Sequence, residues 1–159
     1  MGYLPAIFVI LGGCFLWGIV VQNTLKTQRE LLKSKLEKLK DAAMERNRVL
    51  QALFNELPPL ELDSINQEFL VKAQSIPYDL ERFFMPDEVK AHFWTEKILK
   101  VLQLKGYGED RIKVLSEASL SVKMRIKEFV KSAGSYNKLI SSKPTSFMAS
   151  FLKFQEIPL

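Results

Sequence analysis

Residues 23–57, NTLKTQRELLKSKLEKLKDAAMERNRVLQALFNEL, carry the pattern on which the fold turns. Leu25, Arg29, Leu32, Leu36, Leu39, Ala43, Arg46, Leu50, Leu53 and Leu57 recur in alternating steps of four and three. That is a heptad stripe sustained for about five repeats. No Pro or Gly interrupts it, and the Leu, Glu, Lys, Gln, Arg and Ala that fill it favour helix. The spacing predicts one long helix with a single apolar face, stopped by Pro58-Pro59.

Toward the N-terminus this helix meets a run from Tyr3 to Val21 that contains no charged residue. As a helix the run would rise about 28 Å, close to the hydrocarbon thickness of a bilayer. Three readings compete for it. A cleaved signal peptide normally opens with a positive segment, whereas the first basic residue here is Lys26. A lipoprotein reading rests on Leu11-Gly12-Gly13-Cys14, which has the look of a lipobox around the single cysteine. The apolar residues Phe15 to Val21 that follow Cys14 argue against it. The retained transmembrane helix is the favoured reading, with residues 1–22 as anchor. Lys26, Arg29 and Lys33 on its C-terminal flank place that side in the cytoplasm by the positive-inside rule. Gly12, Gly13 and Gly18 would allow close approach of another helix, with Cys14 and Gly18 in small-xxx-small spacing.

Toward the C-terminus three further helices are expected. Leu60 to Ser75 places Leu62, Ile65, Phe69, Ala73 and Ile76 on one face. Pro86, Asp87 and Glu88 suit a first helical turn, opening a helix that ends near Lys105 and turns Val89, Phe93, Ile98, Val101 and Leu102 inward. Glu109 to Ser141 repeats the three–four alternation through Ile112, Leu115, Ser119, Val122, Ile126, Phe129, Ala133, Tyr136 and Ile140. After Pro144, Thr145 or Ser146 is positioned to cap a short turn bearing Phe147, Met148, Phe151, Leu152 and Phe154. The fold class is all-α: a transmembrane helix followed, over residues 23–159, by an antiparallel bundle of three to four long helices. The whole chain is 47% hydrophobic and 26% charged, an ordinary composition for a folded protein, and residues 23–159 are enough for one modest core.

Antiparallel packing has a topological consequence. Residues 136–159 return to the membrane-proximal end on a basic stretch, with Lys123, Arg125, Lys127, Lys131, Lys138, Lys143 and Lys153 against Glu128 and Glu156. Two basic stretches then meet near anionic headgroups, which makes the phospholipid membrane the first expected partner. The aromatic turn at 147–154 either lies in that interface or plugs the end of the bundle; the sequence favours neither.

The chain offers little chemistry. His92 is the single histidine and sits beside Phe93 and Trp94, a boundary position rather than that of a base. One histidine and one cysteine do not make a transition-metal site, and Gly106-Tyr107-Gly108 reads as a helix connection rather than a phosphate loop. No cofactor and no small-molecule substrate is expected. The net charge of +5 invites a nucleic-acid reading, but no aromatic platform accompanies the cations, so nucleic acid is not an expected partner. Arg46 is the unexpected charge. It stands in the apolar seam between Ala43 and Leu50, where it needs an Asn or Glu from another helix or a stacking partner such as Tyr136.

The segment Tyr136-Asn137, Pro144, Ala149 and Phe154 resembles, at matching spacing, the C-terminal pattern of the LemA family. The apolar anchor followed by Asn23 and Leu25, and Arg46 with Val49, Leu50 and Leu53, resemble it too. Gln51 stands where the family usually has Pro, Phe129-Val130 where it has an earlier Tyr-Asn, and Lys143 and Lys153 replace an aromatic and a glycine. The resemblance implies a single-pass anchor in a bacterial inner membrane, a cytoplasmic helical bundle and no catalytic residues. One branch of that family is associated with magnetosome membranes, which makes organelle membrane assembly a further implied setting. On this reading Tyr136, Asn137, Pro144 and Ala149 fix the membrane-proximal turn and Arg46 holds helix register, in a scaffold that binds protein partners or itself. The competing class is an envelope lipoprotein or periplasmic sensor anchored through Cys14.

Overall fold

The computed structural model describes residues 3–56, 64–104, 106 and 108–159. Five helices follow in order: α1 (Leu4–Glu56), α2 (Ser64–Gln74), α3 (Met85–Leu104), α4 (Glu109–Ser141) and α5 (Thr145–Phe151). No strand occurs among the described residues, and the molecule is the expected all-α bundle with one long apolar N-terminal helix. The Pro58-Pro59 stop, the start of the second helix at Leu60 and the residues Lys105 and Tyr107 lie outside the described residues.

The apolar run and the heptad helix are one object. α1 continues for 53 residues, about 80 Å of helix, and its first part is long and apolar enough to cross a membrane. Side chains from Ala6 to Leu16 are all exposed. Packing begins at Trp17 and Gly18, ahead of residue 23, and continues through Val21, Leu25, Leu32, Leu36, Leu39 and Ala43.

α4 covers that stripe with its own. Of the nine residues on the face that the alternation predicts, Leu115, Ser119, Val122, Phe129, Ala133, Tyr136 and Ile140 are buried, and Ile112 and Ile126 are partly buried. The two helices run antiparallel: Leu50 and Leu53 share a cluster with Leu115, and near the middle Lys35 donates to Ser132 Oγ. α2 and α3 are shorter and complete four helices only in the half far from the apolar end, where Leu99 and Leu102 join Leu50 and Leu115. Nearer the apolar end the third wall is the non-helical strip from Ile76 to Phe84. Leu80 and Phe84 are buried there, and the Phe84 ring lies 5.7 Å from that of Phe129. Arg29, half-exposed on the stripe, holds this strip through Glu81 at 2.6 Å.

α3 is rotated relative to expectation. Met85, Glu88, Ala91, Thr95, Leu99 and Leu102 face inward, while Val89, Phe93 and Val101 are exposed and Ile98 lies at the boundary. Of the five residues expected inside, only Leu102 is fully buried. The physical reason is Glu88: it serves not as a helix-dipole acid but as the buried partner of Arg46, and that pairing sets the rotation of the helix. Small Ala91 and Thr95 follow it inward, the Thr95 hydroxyl satisfied by donating to the Ala91 carbonyl at 2.9 Å.

The chain ends in a compact clasp. The Lys143–Pro144 peptide is cis, and α5 starts with Pro144 at its N-cap and no side-chain cap, so Thr145 and Ser146 lie inside the first turn instead of capping it. The other end of α5 is a Schellman motif: Phe154 N–H donates to the Ala149 carbonyl at 2.9 Å and Lys153 N–H to that of Ser150 at 3.1 Å. Such a motif needs a left-handed residue, and here it is Lys153 with φ 58°. A side chain in that region costs about 1–2 kcal/mol, partly offset by the greater unfolded-state freedom of the glycine that would replace it. Lys153→Gly is therefore expected to stabilise the full chain by about 0.5–1 kcal/mol, read as a higher urea midpoint by circular dichroism in detergent micelles. An unchanged or lower midpoint would remove the strain argument.

Candidate functional site

Three polar constellations stand apart from the apolar core, and the largest is centred on Arg46. Its side chain is fully buried, as is that of Glu88, and their Nη1–Oε1 distance is 2.6 Å. Arg46 Nε and Nη2 both donate to Asn47 Oδ1, at 3.1 and 3.0 Å. Asn47 Nδ2 in turn donates to the Ala73 carbonyl at the end of α2, at 3.1 Å. The second oxygen of Glu88 accepts from the Tyr78 hydroxyl. Burial, then the charge of Glu88 and its hydrogen bond, push the Tyr78 phenol well above its usual 10.0, with Arg46 opposing. Tyr78 thus stays a donor across the physiological range.

The arrangement joins α1, α2, the 76–84 strip and α3 through one neutral pair. No buried side-chain polar atom among the described residues lacks a partner. The network ties the four segments together, each of its buried side-chain polar atoms having at least one partner. Arg46 occupies the seam as the spacing predicts, and it meets Glu88 and Asn47 rather than Tyr136. The sequence marks Glu88 only as a first-turn acid and does not single out Tyr78 or Asn47. The available signal was the requirement of Arg46 for an acid, obscured because Glu88 follows Pro86 and resembles an N-terminal capping acid.

The second constellation superficially has the composition of a catalytic triad. Ser119 Oγ donates to Glu96 Oε1 at 3.1 Å and lies 3.3 Å from His92 Nδ1. The order differs from that of a triad: Glu96 Oε1 accepts from the serine itself and lies 4.0 Å from His92 Nε2, beyond hydrogen-bond distance. Ser119 is also 1% exposed, sealed between α3 and α4. His92 is a boundary residue whose pKa lies below its ordinary 6.5, chiefly through burial, with Arg46 and Lys123 adding to the depression and Glu96 opposing it.

The third constellation gathers the remaining sequence-marked residues. Tyr136 is buried, and burial raises its phenol pKa, with Arg29 lowering it. Asn137 clamps the tail: its Nδ2 donates to the Ile157 carbonyl and its Oδ1 accepts from the Ile157 N–H, both at 2.8 Å. Pro144 opens α5, Ala149 is fully buried beneath it, and Phe154 packs against the core. The structure thus brings Tyr136, Asn137, Pro144, Ala149 and Phe154 together at the apolar end. Arg46 stands apart on α1, 28 residues or about 40 Å from Gly18 under α5 and 17 residues or about 25 Å from Arg29 beside Tyr136. The 147–154 turn divides between the two readings left open: Met148 and Phe154 plug the bundle, while Phe147 and Phe151 point away from it.

Fold and constellations define a class: a helical bundle built directly on a helix that is long and apolar enough to span a membrane. No family model, curated protein or solved structure matches the chain.

Two outcomes test the polar clusters. Arg46→Ala strands the Glu88 carboxylate and is expected to cost about 3–5 kcal/mol, whereas the combined Arg46→Met, Glu88→Leu, Tyr78→Phe variant should cost less than that single change. Urea unfolding of both variants checks this, and additive losses would contradict it. For His92 the sign follows from its depressed pKa. The unfolded chain binds the proton more readily, so stability falls as pH drops below 6.5 and toward the lower folded value. His92→Gln should flatten that slope in melting temperatures measured from pH 7.5 to 5.

Proposed function

We propose that this chain is a LemA-like, single-pass protein of a bacterial inner membrane whose cytoplasmic bundle serves as a scaffold or adaptor. In that role it recruits a protein partner, or further copies of itself, to the membrane surface, and it carries no catalytic residue. The observation that carries the reading is the continuity of α1, whose apolar segment passes without a break into a wall of the bundle. Such a helix ties the bundle stiffly to the membrane and leaves little freedom between them. The buried Arg46–Glu88 pair, bonded to Asn47 and Tyr78, supports a structural use of buried polarity. Exposed cations on the flank of the apolar segment, Lys26 and Lys33 among them, support the cytoplasmic side. The magnetosome setting is the special case in which the same scaffold sits on an organelle membrane.

A second reading, the envelope lipoprotein, draws on Cys14 being free and exposed on α1. The two readings predict opposite sidedness. A protease-sensitive C-terminal tag should be protected in right-side-out vesicles and cleaved in inverted ones if the bundle is cytoplasmic. The reverse pattern, with lipid label incorporation lost in Cys14→Ser, would replace the scaffold reading by the lipoprotein one.

A further inference from the structure

The clasp sits within the exposed apolar stretch of α1. A Cβ on Gly18 would lie 3.0 Å from Met148 Cε, so α5 is seated directly against Gly18. Gly12 and Gly13 face open space, so of the glycines that invite close approach it is Gly18 that this chain's own α5 uses. On the N-terminal side of the clasp, the side chains from Ala6 to Leu16 are all exposed and apolar or small. The apolar surface of α1 continues past the clasp through exposed Ile19 and Val20, and the first charge is Lys26. A bilayer that covers this surface reaches the level of α5.

α5 is built for that level. Its sequence, TSFMASF, contains no charge, and it lies between exposed Lys143 and exposed Lys153. Met148 and Ala149 face the bundle, while Phe147 and Phe151, one helical turn apart, are each 75% exposed. Two aromatic side chains on a neutral helical turn, rimmed by lysines and continuous with the apolar surface of α1, match the chemistry of an anionic membrane interface.

We propose that α5 is a second membrane contact, with Phe147 and Phe151 embedded in the anionic leaflet from which the bundle emerges. The proposal rests on α1 spanning the bilayer, and it adds that the bundle is held at two points instead of one. A helix attached only through α1 could spin about its axis; a foot beside Gly18 fixes which side of the bundle faces the lipid.

The test uses the full chain with Cys14→Ser and a nitroxide on a single new cysteine at Phe151, Phe15 or exposed Leu120, in vesicles of phosphatidylcholine and phosphatidylglycerol. Collision rates with oxygen and with a water-soluble nickel chelate report depth. Phe151→Cys should collide with nickel several-fold less than Leu120→Cys, at a depth of about 5–10 Å, with Phe15→Cys deeper still. Nickel access at Phe151 equal to that at Leu120, with Phe15 protected, would overturn the second contact and leave the anchor standing. Spin–spin broadening between Phe151 labels would also overturn it, showing that a second copy covers the aromatic pair. Nickel access at Phe15 would remove the anchor and the proposal together.

Discussion

One helical backbone in this protein has to satisfy two surroundings. α1 exposes apolar side chains on all sides from Ala6 through Leu16, then restricts them to a stripe from Val21 onward, without Pro or Gly to relieve the transition after Gly18. In lipid the helix is self-sufficient, because every backbone group is bonded within it. In water a helix is held mainly by tertiary burial, and the stripe must be covered along its full length. α4 is the segment long enough to do so, and the rest of the chain is arranged around the α1–α4 seam: α2 and α3 at the far half, the 76–84 strip nearer the apolar end, and α5 with the tail at the end itself.

Within that frame polarity decides what hydrophobicity leaves undetermined. The apolar residues of α3 would bury themselves with Val89 and Phe93 inward. The helix instead turns Glu88 in, because a guanidinium already buried on α1 makes an unpaired interior far more costly than two exposed apolar side chains. Ser119 acts similarly one layer along, placing a hydroxyl in the α4 stripe where Glu96 and His92 can meet it. The two clusters fix the rotation of α3 against both neighbours, which Leu-on-Leu contacts, being non-directional, do not.

This explains what was legible in the sequence. Most of the α4 face was legible, with Ile112 and Ile126 only partly buried, because its seam is long, mostly apolar and packed against a stripe of the same period. The anomaly of Arg46 was legible for the same reason, since a charge interrupts an otherwise regular pattern. Its partner was not, because pairing Arg46 with Glu88 is a tertiary event between segments 42 residues apart, and locally Glu88 looks like a capping acid. The clasp was half legible. Its residues Tyr136, Asn137, Pro144, Ala149 and Phe154 were marked together, but which aromatic side chains turn inward depends on the Schellman geometry at Lys153, a backbone feature that hydropathy does not encode.

The mechanical consequence concerns how far a signal or a load could travel. From Gly18 to Glu56 α1 is one helix, rising about 57 Å, braced by α4 for most of that length. Asn137 ties the C-terminal tail to α4 with two backbone hydrogen bonds, and Met148 wedges α5 against α1, so the apolar end is cross-braced as well. Motion is then more economical as rotation of the whole bundle than as bending within it, because bending would open either the seam or the clasp. Surfaces at the far end, around Leu53 and Leu102, are therefore held at a set height above the clasp, and their orientation follows that of α5. For a protein proposed to act by presenting a surface rather than by turning over a substrate, stiffness of this kind is the property that its buried ion pair, its long seam and its C-terminal clasp jointly produce.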